Sequence, residues 1–115
     1  KGGYPAWKKA QYTIAEMSWD QAASAVAQGA ILVDSRGADT YAKGHIAGAI
    51  NVPCTDDEAL ARLPADKATA LVFYCGGPKC SASTRAAMKA ADLGYTQVSE
   101  YKGGYPEWKS QQATN

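Results

Sequence analysis

Cys75 stands in the loop Tyr74-Cys75-Gly76-Gly77-Pro78-Lys79-Cys80-Ser81. Ahead of it runs the apolar stretch Ala70-Leu71-Val72-Phe73-Tyr74. Behind it comes a helix-like run from Ser81 to Leu93, rich in alanine. A cysteine so placed ends a buried strand and lies under the start of a helix. Helix starts present unpaired N–H groups and a partial positive charge, which bind anions and lower a thiol's pKa. Gly76 and Gly77 let the backbone curl so that successive amides face one sulfur. The chemistry expected is nucleophilic attack by a Cys75 thiolate.

Other uses of the cysteines fit less well. Cys54, Cys75 and Cys80 are three, so they are not a disulfide framework. Cys75-x4-Cys80 could offer two ligands to zinc, with Cys54 and His45 as distant candidates. The second closely spaced pair of a zinc site is missing, so no metal is expected.

The elements that must position Cys75 follow from the apolar pattern. Tyr12-Thr13-Ile14 is a short strand. Ser18-Trp19-Asp20-Gln21 reads as a capping box, opening a helix that Gly29 stops. Ile31-Leu32-Val33 is a buried strand ending at Asp34. Gly37 to Lys43 is a helical turn, and Ala49 to Val52 a short strand closed by Pro53. Thr55 caps a helix whose first turn carries Asp56, Asp57 and Glu58. After the polar loop Pro64 to Thr69 come the strand Ala70 to Tyr74 and the alanine-rich helix, ended by Gly94. Thr96-Gln97-Val98 is a last strand. Strands alternating with helices predict an α/β fold with a parallel sheet covered on both faces. Ligands bind such sheets at the carboxyl ends of the strands. One site is expected there, built from Asp34-Ser35-Arg36 and the Cys75–Ser81 loop.

The chain has 115 residues, enough for one domain around a single core. Hydrophobic residues make up 46% and charged residues 20%, an ordinary globular balance. A net charge of +1 gives no footprint for nucleic acid. Trp7, Trp19 and Trp108 have no basic stripe beside them and read as packing anchors. No apolar run approaches the roughly 20 residues that span a bilayer.

Residues 1–8 read KGGYPAWK and residues 102–109 read KGGYPEWK, alike at seven of eight positions. This predicts a tandem array cut out of phase. Residues 1–11 would be the tail of a preceding repeat, or else a duplicated docking segment. Residues 12–112 would be one complete domain, and 113–115 a C-terminal tail. The native N-terminus would then be missing, which leaves the compartment, cytoplasmic or periplasmic, undetermined.

With these marks in place, the chain resembles the rhodanese (sulfurtransferase) domain family. Leu32-Val33-Asp34-Ser35-Arg36 and Tyr41-Ala42-Lys43-Gly44-His45-Ile46-Ala47-Gly48-Ala49-Ile50-Asn51-Val52-Pro53 resemble the family's Asp-x-Arg…Gly-His-Ile-x-Gly-Ala stretch. Tyr74-Cys75 resembles its strand-end catalytic cysteine, and Gly103-Gly104-x3-Trp108 its closing segment. The resemblance implies a five-stranded, mostly parallel sheet flanked by helices on both faces. It also implies catalytic Cys75 carrying sulfane sulfur as a persulfide, with no cofactor. Partners would be a small donor (thiosulfate or another persulfide), a thiol or protein acceptor, and neighbouring repeats. The histidine at position 45 would be structural.

The loop departs from the family's Cys-x-x-Gly-x-Arg pattern. Pro78 replaces the glycine and removes one N–H donor. Cys80 replaces the arginine that would attract an anionic donor. Gly76, Gly77, Lys79, Cys80 and Ser81 remain to bind the persulfide, with Lys79 as a point charge in place of a fork. Asp34, Arg36 and Arg85 would support the site edge. Cys80 is either a small packed residue or a resolving thiol that attacks a Cys75 persulfide or sulfenate. The second option makes the alternative function a thiol-redox or persulfide relay. A phosphatase of related fold needs arginine where Ser81 stands.

Overall fold

The computed structural model describes residues 14–77 and 80–113. They form one α/β domain on a five-stranded, wholly parallel sheet. In chain order the elements are β1 (Ala15–Met17), α1 (Trp19–Ala27), β2 (Ile31–Asp34), α2 (Ala38–Lys43) and β3 (Ile50–Asn51). A 3-10 helix (Asp57–Arg62) follows, then β4 (Leu71–Tyr74), α3 (Ala82–Asp92), β5 (Val98–Tyr101) and α4 (Gly104–Ala113). The strand order is β1-β5-β4-β2-β3, which puts β4 at the centre. All four β4 residues are buried, as a central parallel strand requires.

The two faces of the sheet carry separate cores. On one, Val33, Leu71 and Phe73 pack against Ala86, Ala87 and Ala90 of α3 and against Ala59 and Leu63 around the 3-10 helix. Small side chains let α3 lie close to the strands. On the other, Leu32, Val72, Tyr74 and Tyr101 pack against Ala22 of α1, Ile46, Ala49 and Trp108 of α4. Trp108 meets Trp19 and Tyr101 edge-on, with centroids 6.3 and 5.9 Å apart.

The capping box is present: Gln21 N–H donates to Ser18 Oγ and Ser18 N–H to Gln21 Oε1. Four details differ from expectation. Tyr12 and Thr13 lie outside the described residues, and β1 begins only after Ile14, where Ala15 pairs with Ser99. Asp56 caps the 3-10 helix rather than Thr55; its Oδ1 accepts from Glu58 and Ala59 N–H. The last strand falls later than Thr96–Val98, because pairing with β4 starts at Leu71↔Val98. Thr96 and Gln97 instead tie to the carbonyls of Lys67 and Ala68. The closing segment, to which the sequence assigned no element, is a helix, α4.

The tandem expectation gains no support here. The described residues form a single domain, and residues 1–11 and 114–115 lie outside them. No helix among the described residues is long and apolar enough to cross a membrane.

Candidate active site

Cys75 is the first residue after β4 and is 1% exposed. The chain turns through Gly76 and Gly77, the latter at φ +149°, and re-enters regular structure at α3. Cys80 N–H donates to the Gly77 carbonyl at 3.1 Å. Ser81 is the α3 N-cap, but its side chain makes no capping bond. The first amides of α3 therefore keep no side-chain partner at their N-cap. The expected loop residues Gly76, Gly77, Cys80 and Ser81 thus stand together between Cys75 and α3. Lys79 and Pro78 lie outside the described residues. The Cys75 and Cys80 sulfurs are joined, with Cα atoms 6.3 Å apart, a separation that a disulfide spans. Cys54 is free and partly buried.

One wall of the site is an ordered polar assembly. Asp34 ends β2 opposite Tyr74 and is fully buried. Arg36 Nη2 reaches Asp34 Oδ2 at 2.6 Å and the Gly44 carbonyl at 2.7 Å, while its Nε sits 3.0 Å from Asp34 Oδ1. The hydrogen bonds to Asp34 hold the guanidinium above arginine's usual pKa. Tyr74 Oη donates to Asp34 Oδ2 at 2.9 Å and accepts from Ile46 N–H at 3.0 Å. Burial pushes the Tyr74 hydroxyl well above its ordinary pKa, and Asp34 adds to the shift. Asn51 Nδ2 closes the assembly on the carbonyls of Asp34 and Arg36. Charge here is paired and hydrogen-bonded, as burial demands.

The third side comes from the closing segment. Gly104 has φ +69°, and a Cβ there would meet the Cys75 carbonyl and lie 2.8 Å from Gly77 N. Tyr105 N–H donates to the Cys75 carbonyl at 3.1 Å. Its ring lies 5.0 Å from the Arg36 guanidinium, which is also 5.9 Å from the Tyr74 ring. Glu100, in β5, sits buried against α3, accepting from Ser83 at 3.3 Å and Thr84 at 2.8 Å and pairing with Lys102 at 3.4 Å.

Asp34 and Arg36 therefore meet beside the Cys75 loop, with a Cβ on Gly76 only 3.8 Å from Arg36 Cδ. Arg85 is different: it is exposed, one turn along α3. His45 Nδ1 lies 2.9 Å from the Tyr41 carbonyl, and its ring stacks on Tyr41 at 3.7 Å. Sequence reasoning did not single out Tyr74 Oη, Tyr105 or Glu100. A tyrosine ending an apolar strand needs a partner for its hydroxyl, and that signal was available for Tyr74. For Glu100 the only signal was a charge just past the expected last strand.

Comparison with known proteins agrees with this fold. The rhodanese-like domain profile matches residues 18–111. The chain is 33% identical over 98 residues to the thiosulfate sulfurtransferase GlpE of Pseudomonas entomophila, covering 82% of this chain and 84% of that protein. It is 38% identical over 79 residues to an HTH-type transcriptional regulator of Mycobacterium tuberculosis. That match covers 68% of this chain but only 34% of the regulator, so the chain spans about a third of that relative's length. Among solved structures, the human single-domain sulfurtransferase TSTD1 superposes with TM-score 0.72 at 28% identity, over 86% of this chain and 98% of that one. The Bacillus halodurans protein BH2092 superposes with TM-score 0.73 at 32% identity, over 85% and 73%.

Proposed function

The chain belongs to the rhodanese-like domain family, and on that premise we propose that it is a sulfurtransferase working through a Cys75 persulfide. The observation that carries this reading is the seat of Cys75, buried at the carboxyl end of the central strand and followed by a loop into α3. The loop amides and helix start favour an anionic sulfur there. The Cys75 thiolate attacks the outer sulfur of thiosulfate, forming Cys75–S–S⁻ and releasing sulfite. A thiolate or cyanide acceptor then attacks that outer sulfur, taking it away and returning the Cys75 thiolate. Electron pairs balance in both steps, and no cofactor takes part.

In this reading Gly76, Gly77, Lys79, Cys80 and Ser81 hold the anionic sulfur, and Asp34 and Arg36 fix the wall beside the loop. Arg85 is exposed and would act on an approaching donor by its charge alone. Incubation with thiosulfate and cyanide should yield thiocyanate, and Cys75→Ser should abolish it. Undiminished transfer by Cys75→Ser would overturn the reading.

The Cys75–Cys80 separation of 6.3 Å favours a second reading, a thiol-redox relay. Cys80 as thiolate attacks the inner sulfur of the Cys75 persulfide, closes the disulfide and expels hydrosulfide. A dithiol reductant then resets the pair. Mass spectrometry after donor treatment should find the Cys75–Cys80 crosslink, and a lasting persulfide beside a free Cys80 counts against the relay. In a longer protein, neighbouring rhodanese repeats would be the sulfur acceptors.

A further inference from the structure

Lys102 follows the last residue of β5 and has no role in the chemistry above. Its ammonium donates to Thr84 Oγ1 at 3.2 Å and lies 3.4 Å from Glu100 Oε1. Thr84 Oγ1 donates in turn to Glu100 Oε1 at 2.8 Å. These contacts hold a flexible side chain against the first turn of α3. They do not bury it. The Lys102 side chain is 31% exposed, whereas that of Glu100 is 4% exposed. A buried carboxylate thus fixes a cation that solvent can still reach.

The start of α3 is also where the Cys75 sulfur arrives, through its bond to Cys80. Strand register brings Lys102 to the same place from the other side. Tyr101 pairs with Tyr74, and the next residues of the two strands are Lys102 and Cys75. The chain after Lys102 stays on the Cys75 peptide, since Tyr105 N–H donates to its carbonyl and Gly104 presses against it. Sulfur and ammonium therefore border one stretch of α3, one from the loop and the other from β5. The neighbouring Arg36 is engaged with Asp34 and the Gly44 carbonyl. Cys80 is neutral where the family's loop pattern has arginine. A task that a loop arginine would perform is open to a cation from outside the loop.

We propose that Lys102, aimed by Glu100 and Thr84, is the cation that draws anionic reagents to Cys75 and binds the oxygen-bearing end of the sulfur donor. Thiosulfate would place its three oxygens toward the ammonium and its outer sulfur toward the Cys75 thiolate. The donor half rests on the function proposed above; the preference for anions at Cys75 does not. As a point charge rather than a fork, lysine attracts an anion without fixing its orientation through paired hydrogen bonds.

The test compares alkylation of Cys75 by iodoacetate, an anion, and by neutral iodoacetamide. The parent is Cys54→Ser/Cys80→Ser, where Cys75 is the one remaining cysteine. The ratio of the two rates cancels any change in the thiolate fraction, since both reagents meet the same thiolate. Lys102→Met should lower that ratio by about two- to tenfold at low salt, the effect of one partly screened charge, and about 1 M KCl should erase the difference. Lys102→Arg should keep the parent's ratio. Glu100→Gln/Lys102→Met, which leaves no unpaired buried charge, should show the same fall and covers the case in which Lys102→Met fails to fold. With all three cysteines present, Lys102→Met should raise KM for thiosulfate by a similar factor, about two- to tenfold, with kcat nearly unchanged. A ratio at the parent's level in the variants lacking Lys102 overturns the proposal. So does an equal fall in Lys102→Arg, which would make the lysine a packing group. A protein that transfers no sulfur overturns the function, while the alkylation ratio still decides the role of Lys102.

Discussion

Tyr105 N–H donates to the carbonyl of Cys75 at 3.1 Å, so the last helix of the domain is fastened to the residue proposed to carry the sulfur. Gly104, one residue earlier, presses its bare Cα against the same peptide group. The C-terminal copy of the repeated KGGYP motif therefore packs directly on the Cys75 peptide. A side chain on Gly104 would meet the Cys75 carbonyl and would hold a backbone conformation that side chains rarely adopt.

Gly104→Ala should accordingly lose at least tenfold in sulfur transfer as well as about 1–3 kcal/mol of stability from the strained backbone. Gly29→Ala is the control, because Gly29 also has positive φ but nothing within 4 Å of a Cβ. It should lose stability from backbone strain alone and keep full activity. Equal activity losses in the two variants, measured against their urea midpoints, would count against a role for the closing segment in the site.

The Arg36–Asp34 pair should matter more than the other ion pairs. Asp34 is fully buried, so Arg36→Ala leaves a charge without its main partner and should cost about 3 kcal/mol. Asp57, the partner of Lys89, is 76% exposed. Asp57→Ala should cost less than about 1 kcal/mol. Urea denaturation of the two variants gives the comparison, and similar losses would refute the assembly as the support of the site.

Tyr74 sets an alkaline limit. Burial raises its pKa in the folded state, so the fold holds that proton more tightly than the unfolded chain does. The resulting stability is complete below tyrosine's ordinary value and is lost as pH rises toward the folded value. The urea midpoint should hold steady up to about pH 10 and fall beyond it. Tyr74→Phe should make that fall shallower; Tyr101, also raised by burial, supplies the remaining slope. At neutral pH the same variant should be about 1–3 kcal/mol less stable, since Ile46 N–H and Asp34 lose their partner. Identical alkaline slopes would contradict this assignment.

Much of this arrangement was legible in the sequence where one rule dominates. The run Leu71–Tyr74 could only be a buried strand, and Gly76-Gly77 before an alanine-rich helix marked the loop that joins β4 to α3. Asp34 and Arg36, two residues apart at the end of a strand, were visible as site-edge residues. Elements governed by distant contacts were not legible. The place of β5 depends on its register with β4, which Thr96 and Gln97 do not encode locally. Helix α4 begins at Gly104, a poor helix former that is there because the Cys75 peptide leaves no room for a side chain. The bridging hydroxyl of Tyr74 and the burial of Glu100 arise from residues 16 to 40 positions away.

The central claim is that Cys75 carries sulfur. Its most direct test is the intact mass of the reduced protein after incubation with thiosulfate and removal of excess donor, followed by peptide mapping. The expected result is a gain of about 32 Da, one sulfur atom, located on Cys75 and lost on addition of cyanide. An unchanged mass, or a gain that maps elsewhere and persists in Cys75→Ser, would contradict it.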